Sequence, residues 1–168
     1  MEPGLYIVGT PIGNLGDLSL RALETLQQVD LICAEDTRHT KRLTQRYEID
    51  TPLMSCHKFN EAQRSETLIT RIQNGEAIAL VSDSGMPTIS DPGARLVAAC
   101  RAAGLFITSI PGPTALTTAL ACSGLPSTGF TFVGFLTLKA VGASANLNAG
   151  AIILYRCSST NHPTGSLN

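Results

Sequence analysis

Along most of this chain, short runs of consecutive apolar residues alternate with segments whose apolar residues recur every three or four positions. The continuous runs are Leu5 to Val8, Val29 to Ala34, Pro52 to Cys56, Ala77 to Ser82, Leu105 to Ile110 and Phe130 to Phe135. They read as strands buried on both faces, the third of them short. Between them the spacing predicts helices. One covers about Leu18 to Gln28, with Leu20, Leu23 and Leu26 on one face and Asp17 near its start. A polar helix opens at Glu35-Asp-Thr-Arg38 and carries Lys41, Arg42 and Arg46. A third, from about Asn60 to Gln73, turns Leu68, Ile69 and Ile72 inward and stops at Asn74-Gly75. A fourth begins at Pro92, runs through Ala103 and closes at Gly104, and a fifth runs from Pro113 to about Ser123, before Gly124. Strands alternating with helices predict an α/β fold, an open, mostly parallel sheet with helices on both faces. No internal repeat is visible.

The strand ends carry the most information. Ala77 to Ser82 runs into a loop holding Gly85, Pro87, Pro92 and Gly93, the carboxylates Asp83 and Asp91, and the hydroxyls of Ser82, Ser84 and Ser90. The same construction recurs at Gly9-Thr-Pro-Ile-Gly-Asn-Leu15 and at Ile110-Pro-Gly-Pro-Thr-Ala115. Glycine lets backbone approach a ligand closely, and proline fixes φ and removes a donor. Open α/β sheets place ligands at the carboxyl ends of their strands, so these loops read as one site built from three directions.

Composition narrows the classes. A chain of 168 residues suits one domain and is short for two. A formal net charge of −1 argues against gross attraction to nucleic acid or membrane, but not against a local basic patch. No apolar run approaches the roughly 20 residues that span a bilayer, and strand-like sequence begins within a few residues of Met1. The expectation is a cytoplasmic protein without a membrane partner. The five cysteines form no C-x-x-C pair and read as reduced thiols, with Cys33, Cys100 and Cys122 in apolar surroundings. His39, His57 and His162 are scattered, so no metal is expected.

The dinucleotide fingerprint, the phosphate loop and the nucleophile elbow are all absent. The loops that remain, rich in backbone groups, hydroxyls and carboxylates, suit an adenosine edge, a ribose diol or an amino-acid head group. The competing reading is that they only reverse the chain. Glu35-Asp-Thr-Arg38 likewise has two readings, a substrate site at a strand end or a helix start with Asp36 or Thr37 as N-cap, and the residues alone favour the cap. Asp91, just before Pro92, reads as another N-cap. His57-Lys58 reads as a solvated turn.

Taken together, Gly9-Thr-Pro-Ile-Gly-Asn-Leu15, Glu35-Asp-Thr-Arg38, the Ser82 to Gly93 loop, Ile110-Pro-Gly-Pro113 and Gly134-Phe-Leu136 resemble the ribosomal RNA small subunit methyltransferase I family of the tetrapyrrole methylase superfamily. The resemblance spans about residues 4 to 136. It implies S-adenosylmethionine (SAM) as methyl donor, 2′-O-methylation of a cytidine in small-subunit (16S) rRNA, two α/β domains with SAM between them, and a homodimer. It further implies that Pro11 and Ile12 lie beside SAM, that Gly85, Met86 and Ile89 line the middle of its pocket, and that Thr114 and Ala115 form the other wall. Glu35, Asp36 and Arg38 match the signature that separates the rRNA enzymes from the porphyrin methylases, and are implied to face the RNA. The chain departs mildly from the family pattern at Ser84, Met86 and Thr114. No residue is identified as the catalytic base. The alternatives are a porphyrin or corrin methylase of the same superfamily, and a non-catalytic binding or dimerisation remnant.

The resemblance places the first domain at residues 1–124 and the start of a second at 125–142. It fades after Gly142, where the family has a charged helix and then Tyr-Glu-Ser-Pro-His-Arg. Codons compatible with Gly142 to Ala149, read one nucleotide earlier, can encode Arg-Gln-Arg-Glu-Leu-Glu-Arg. The same offset lets Thr160 to Ser166 encode Tyr-Glu-Ser-Pro-His-Arg-Ile. One constant offset recovers both features, so residues 143–168 are expected to be an out-of-frame tail, with most of the second domain missing and activity weak or absent. An intact original frame across codons 140 to 168 would contradict this.

Overall fold

The structure is a computed structural model and describes residues 1–124, 130–132 and 134. Its compact units divide between Ala115 and Leu116. The first unit holds strands β1 (Gly4–Val8), β2 (Leu31–Ala34), β3 (Leu53–Ser55), β4 (Ala77–Val81) and β5 (Ile107–Ile110). Helices α1 (Leu20–Gln28), α2 (Thr37–Arg46), α3 (Glu61–Gln73) and α4 (Ala94–Ala102) connect them. The strands form one sheet in the order β3-β2-β4-β1-β5. Every pairing is parallel, as the continuous apolar runs imply.

Two apolar layers sandwich the sheet, and strand alternation sorts residues between them. On one face Tyr6, Val8, Ile32, Ala34, Ala79 and Val81 pack with Ala22 and Leu26 of α1 and Leu43 of α2. On the other, Leu5, Leu31, Cys33, Ile78 and Leu80 pack with Leu68 and Ile72 of α3 and Leu96 and Cys100 of α4. The loop after β1 therefore departs toward one face and the loop after the adjacent β4 toward the other. The cleft between two such loops is where open α/β sheets bind ligands.

Several helix boundaries differ from the sequence expectation. Helix α1 starts at Leu20, capped by Ser19, whose hydroxyl accepts from the Ala22 amide. Asp17 instead lies in a preceding 3-10 turn, Leu15–Asp17. Leu20 is 79% exposed, and the buried face is Ala22, Thr25 and Leu26. Helix α4 starts at Ala94 rather than Pro92, so Asp91 is not its N-cap. The N-cap is Gly93 at φ 119, a conformation open to glycine and costly for other residues.

Helix α5 (Ala115–Cys122) starts two residues after Pro113, because Pro111 to Thr114 are not helical, and Gly124 follows at φ 67. Cys33, Cys56 and Cys100 are buried, but Cys122 is exposed. Of the sixth expected strand, positions 133 and 135 lie outside the described residues, as does the whole tail from 143, and among the positions described only Thr131 takes part in a bridge. No helix among the described residues is long and apolar enough to cross a membrane.

Candidate functional site

The loops after β1, β4 and β5 leave the same edge of the parallel sheet, and the structure brings them into contact. Thr10 and Gly85 form an isolated antiparallel bridge. The Thr10 amide donates to the Gly85 carbonyl at 2.9 Å, and the Gly85 amide donates back at 3.1 Å. The buried Thr10 hydroxyl donates to the Ser82 carbonyl at 3.1 Å. The β1 and β5 loops meet glycine to glycine. A Cβ on Gly112 would lie 2.8 Å from the Gly9 backbone, and one on Gly9 would lie 2.6 Å from the Met86 sulfur. Only residues without a side chain permit this approach.

The β4 loop is the most constrained of the three. Gly85 (φ 84), Thr88 (φ 73), Ser90 (φ 67) and Gly93 (φ 119) all lie in the left-handed region. Two of these carry a Cβ, and such strain concentrates at functional sites. The far end of the loop is held by a carboxylate from another helix. Glu61 Oε1, on α3, accepts the backbone amides of Gly93 at 3.0 Å, Arg95 at 2.9 Å and Leu96 at 3.3 Å. Glu61 is only 6% exposed, and it satisfies amides that every helix start leaves orphaned.

A cleft of about 360 Å3 opens between the β1 loop, the start of the β4 loop and α2. Its walls are Thr10, Pro11, Ile12, Gly13 and Leu15 on one side, Ser82, Asp83 and Ser84 at the centre, and His39, Thr40, Arg42 and Leu43 of α2 opposite. Asp83 also fixes the start of α2, since its Oδ1 accepts the Asp36 amide at 3.0 Å.

Of the residues expected on the cofactor side, Pro11 and Ile12 line this cleft. Gly85 does not line it, and a Cβ there would lie 3.5 Å from Ile12 Cγ2 and 3.6 Å from the Pro113 carbonyl. Met86 packs on Gly9, and Thr114 and Ala115 follow directly on the Gly112-Pro113 turn. Ile89 sits farther along the β4 loop and is 53% exposed.

None of Glu35, Asp36 and Arg38 lines the cleft. Asp36 is the N-cap of α2 and accepts from the Arg38 amide at 2.9 Å. Its other oxygen accepts from the Arg38 guanidinium at 2.8 Å. These bonds, the guanidinium first, hold the Asp36 carboxyl down to about 2. Burial raises the Glu35 carboxyl, and the charges of Asp83 and Asp91 add to the effect. Burial likewise raises Asp91, reinforced by Asp83 and opposed by a hydrogen bond from Ser82.

His39 and Arg42 are among the cleft residues that sequence reasoning left out. Their signal was present, since they stand three apart on one helix and share a face. Nothing local says, however, that this face closes on the β1 loop. Packing of Leu43 into the core and a hydrogen bond from the Tyr47 hydroxyl to the Leu15 carbonyl bring it there.

Comparison with known proteins fits this architecture. A sequence model of the Tetrapyrrole (Corrin/Porphyrin) Methylases matches residues 4–159. The chain is 58% identical over 138 residues to the ribosomal RNA small subunit methyltransferase I of Xylella fastidiosa, covering 82% of this chain and 50% of that protein. It is 54% identical over 145 residues to the protein of the same name from Escherichia coli O157:H7, covering 86% of this chain and 51% of the relative. The chain thus spans about half the length of the curated relatives it matches. Among solved structures, it superposes on the uroporphyrin-III-C-methyltransferase of Thermus thermophilus with a TM-score of 0.57 and 27% identity, over 76% of this chain and 54% of that one.

Proposed function

Because the chain belongs to the tetrapyrrole (corrin/porphyrin) methylase family, we propose that it carries the donor-binding loops of a SAM-dependent methyltransferase that modifies the ribose 2′-hydroxyl of a cytidine in 16S rRNA. The observation that carries this reading is the mutual contact of three glycine–proline loops at the carboxyl ends of β1, β4 and β5. The names of its relatives at 58% and 54% identity supply the substrate class.

The residues present fit the donor. Close glycine contacts keep side chains out of the junction, so a ligand there meets the backbone groups of all three loops, with Pro11 and Ile12 where the junction borders the cleft. When bound, SAM supplies an electrophilic methyl group. The protein's part is orientation, which is worth a large share of the barrier in a bimolecular transfer. Pro11, Ile12, Gly85, Met86, Ile89, Thr114 and Ala115 hold the donor in this reading. The Thr10·Gly85 bridge and the Glu61 cap keep their loops in register. Glu35, Asp36 and Arg38, at the end of β2, face the substrate side. Residues 1–124 then form the donor domain and 125–142 open a second one. The active form is a cytoplasmic homodimer acting on the small ribosomal subunit.

The test is transfer of label from SAM to small subunits lacking the modification, followed by mapping of the product. The expected result is label on the 2′-oxygen of one cytidine. Label on a tetrapyrrole instead, or on neither substrate, would contradict the proposal.

A further inference from the structure

We infer that the cleft beside α2 is a nucleotide subsite for the RNA strand, with Arg42 and His39 receiving a phosphate and Asp83 a ribose hydroxyl. This inference rests on the function proposed above and assigns a place to its substrate. The cleft holds about 360 Å3, within the roughly 300–1,000 Å3 typical of small-ligand sites. Its two walls have opposite chemistry. Helix α2 presents a guanidinium and an imidazole, and the start of the β4 loop presents the Asp83 carboxylate and the Ser84 hydroxyl. A nucleotide has the same polarity, an anionic phosphate at one end and hydroxyl donors on the sugar.

Two further features favour a nucleic-acid strand over a free small anion. From Thr37 to Arg46, α2 carries Arg38, Lys41, Arg42 and Arg46 and no acid. A second groove lies along another side of α2, where Glu48 and Asp50 line it beside Arg38 and Lys41, so its basic end is the α2 side. A strand crossing α2 would set one nucleotide in the cleft and bring a neighbouring phosphate to Lys41. Arg38 contributes less, because Asp36 already pairs with it at 2.8 Å. Phosphate contacts of this kind position a strand, and a contact to the 2′-hydroxyl distinguishes RNA from DNA.

The experiment titrates this chain at low salt with a short oligocytidylate, with its 2′-deoxy counterpart and, separately, with SAM. Arg42→Ala is expected to weaken oligocytidylate binding roughly tenfold, the scale of a lost charge-assisted hydrogen bond. Arg46→Ala removes the same charge from outside the cleft and is expected to cost about twofold. Asp83→Asn keeps an acceptor for the Asp36 amide and should erase the preference for RNA over the deoxy strand. SAM affinity should be equal in wild type and Arg42→Ala. Equal losses from Arg42→Ala and Arg46→Ala would reduce the effect to general charge and overturn the inference. Pro11 and Ile12 form the border between the cleft and the donor loops, so loss of SAM binding in Arg42→Ala would show that the donor itself reaches α2 and would overturn it as well. A chain that binds SAM but no oligonucleotide refutes the subsite and leaves the donor reading standing. A chain that binds neither refutes both.

Discussion

Helices α2 and α4 both start at the edge of the sheet that carries the candidate site, and they are capped in opposite ways. Helix α2 begins three residues after β2 ends, and its cap is local. Asp36 accepts the amide of Arg38, two residues on, and pairs with its exposed guanidinium. Helix α4 follows the long β4 loop, and its N-cap, Gly93, has no side chain to offer. Its amides are received by a buried carboxylate from α3, Glu61. The local cap fixes only a turn. The distant one fixes where a strained loop ends, while the Thr10·Gly85 bridge fixes where it begins. A loop pinned at both ends is preorganised, and preorganisation is what a methyl-transfer site needs from its scaffold.

The largest expected effect comes from breaking the distant cap. Glu61→Ala leaves three amides without their acceptor in a buried place and opens a cavity, at a cost of about 3 kcal/mol. Glu61→Gln keeps one acceptor oxygen and should lose less. Urea denaturation of the two variants measures the difference; equal losses would mean that a neutral amide oxygen does not replace the carboxylate, and a negligible loss in Glu61→Ala would mean that the cap does not hold the loop. Gly112→Ala comes next. Its Cβ would lie 2.8 Å from the Gly9 backbone, which has no flexible end to move aside. A loss of about 2 kcal/mol is expected from such overpacking. Asp36→Ala should cost the least of the three, because its cap is local and exposed to water. A loss as large as that of Glu61→Ala would erase the contrast between the two helix starts.

The carboxyls around these helix starts do not titrate alike. The Asp36 carboxyl is held down to about 2, so its contribution is complete above the ordinary carboxylate range and fades as pH falls toward that value. Glu35 and Asp91 run the other way, because burial and Asp83 raise them. Their contribution is present below the ordinary carboxylate range and is lost as pH rises through their raised values. Asp83→Asn removes one anion and should bring both Glu35 and Asp91 to titrate at lower pH. Carboxyl-carbon NMR of wild type and variant reads this directly, and unchanged midpoints would show that Asp83 does not act on them.

Much of this fold is legible in the sequence because its signals are local. Leu31–Ala34 and Ala77–Val81 are apolar throughout and could only be buried strands. Asp36 and the Asn74-Gly75 stop announce themselves through nearby residues. What stayed hidden depends on contacts far apart in the chain. The start of α4 could not be read correctly because its cap lies 32 residues upstream of Gly93, on another helix. Leu20 matched the helical spacing but faces solvent, since Ser19 starts the helix and Ala22, Thr25 and Leu26 take the buried stripe. The glycine–proline loops were recognisable one by one, and their residues suggested a shared site. The Gly9·Gly112 contact and the place of His39 and Arg42 in the cleft required the folded sheet.

The three contacting loops, in the function proposed, hold the methyl donor. The most direct test is a titration of this chain with SAM, followed by backbone-amide NMR, alongside Gly85→Val and Pro11→Ala. The expected shifts concentrate at Gly9 to Gly13, Ser84 to Ile89 and Gly112 to Ala115, with weaker binding in both variants while they stay folded. Gly85→Val should be the more affected, because Gly85 sits at φ 84, where a β-branched residue is strained. Shifts that gather elsewhere, or folded variants with undiminished affinity, would contradict this role for the loops.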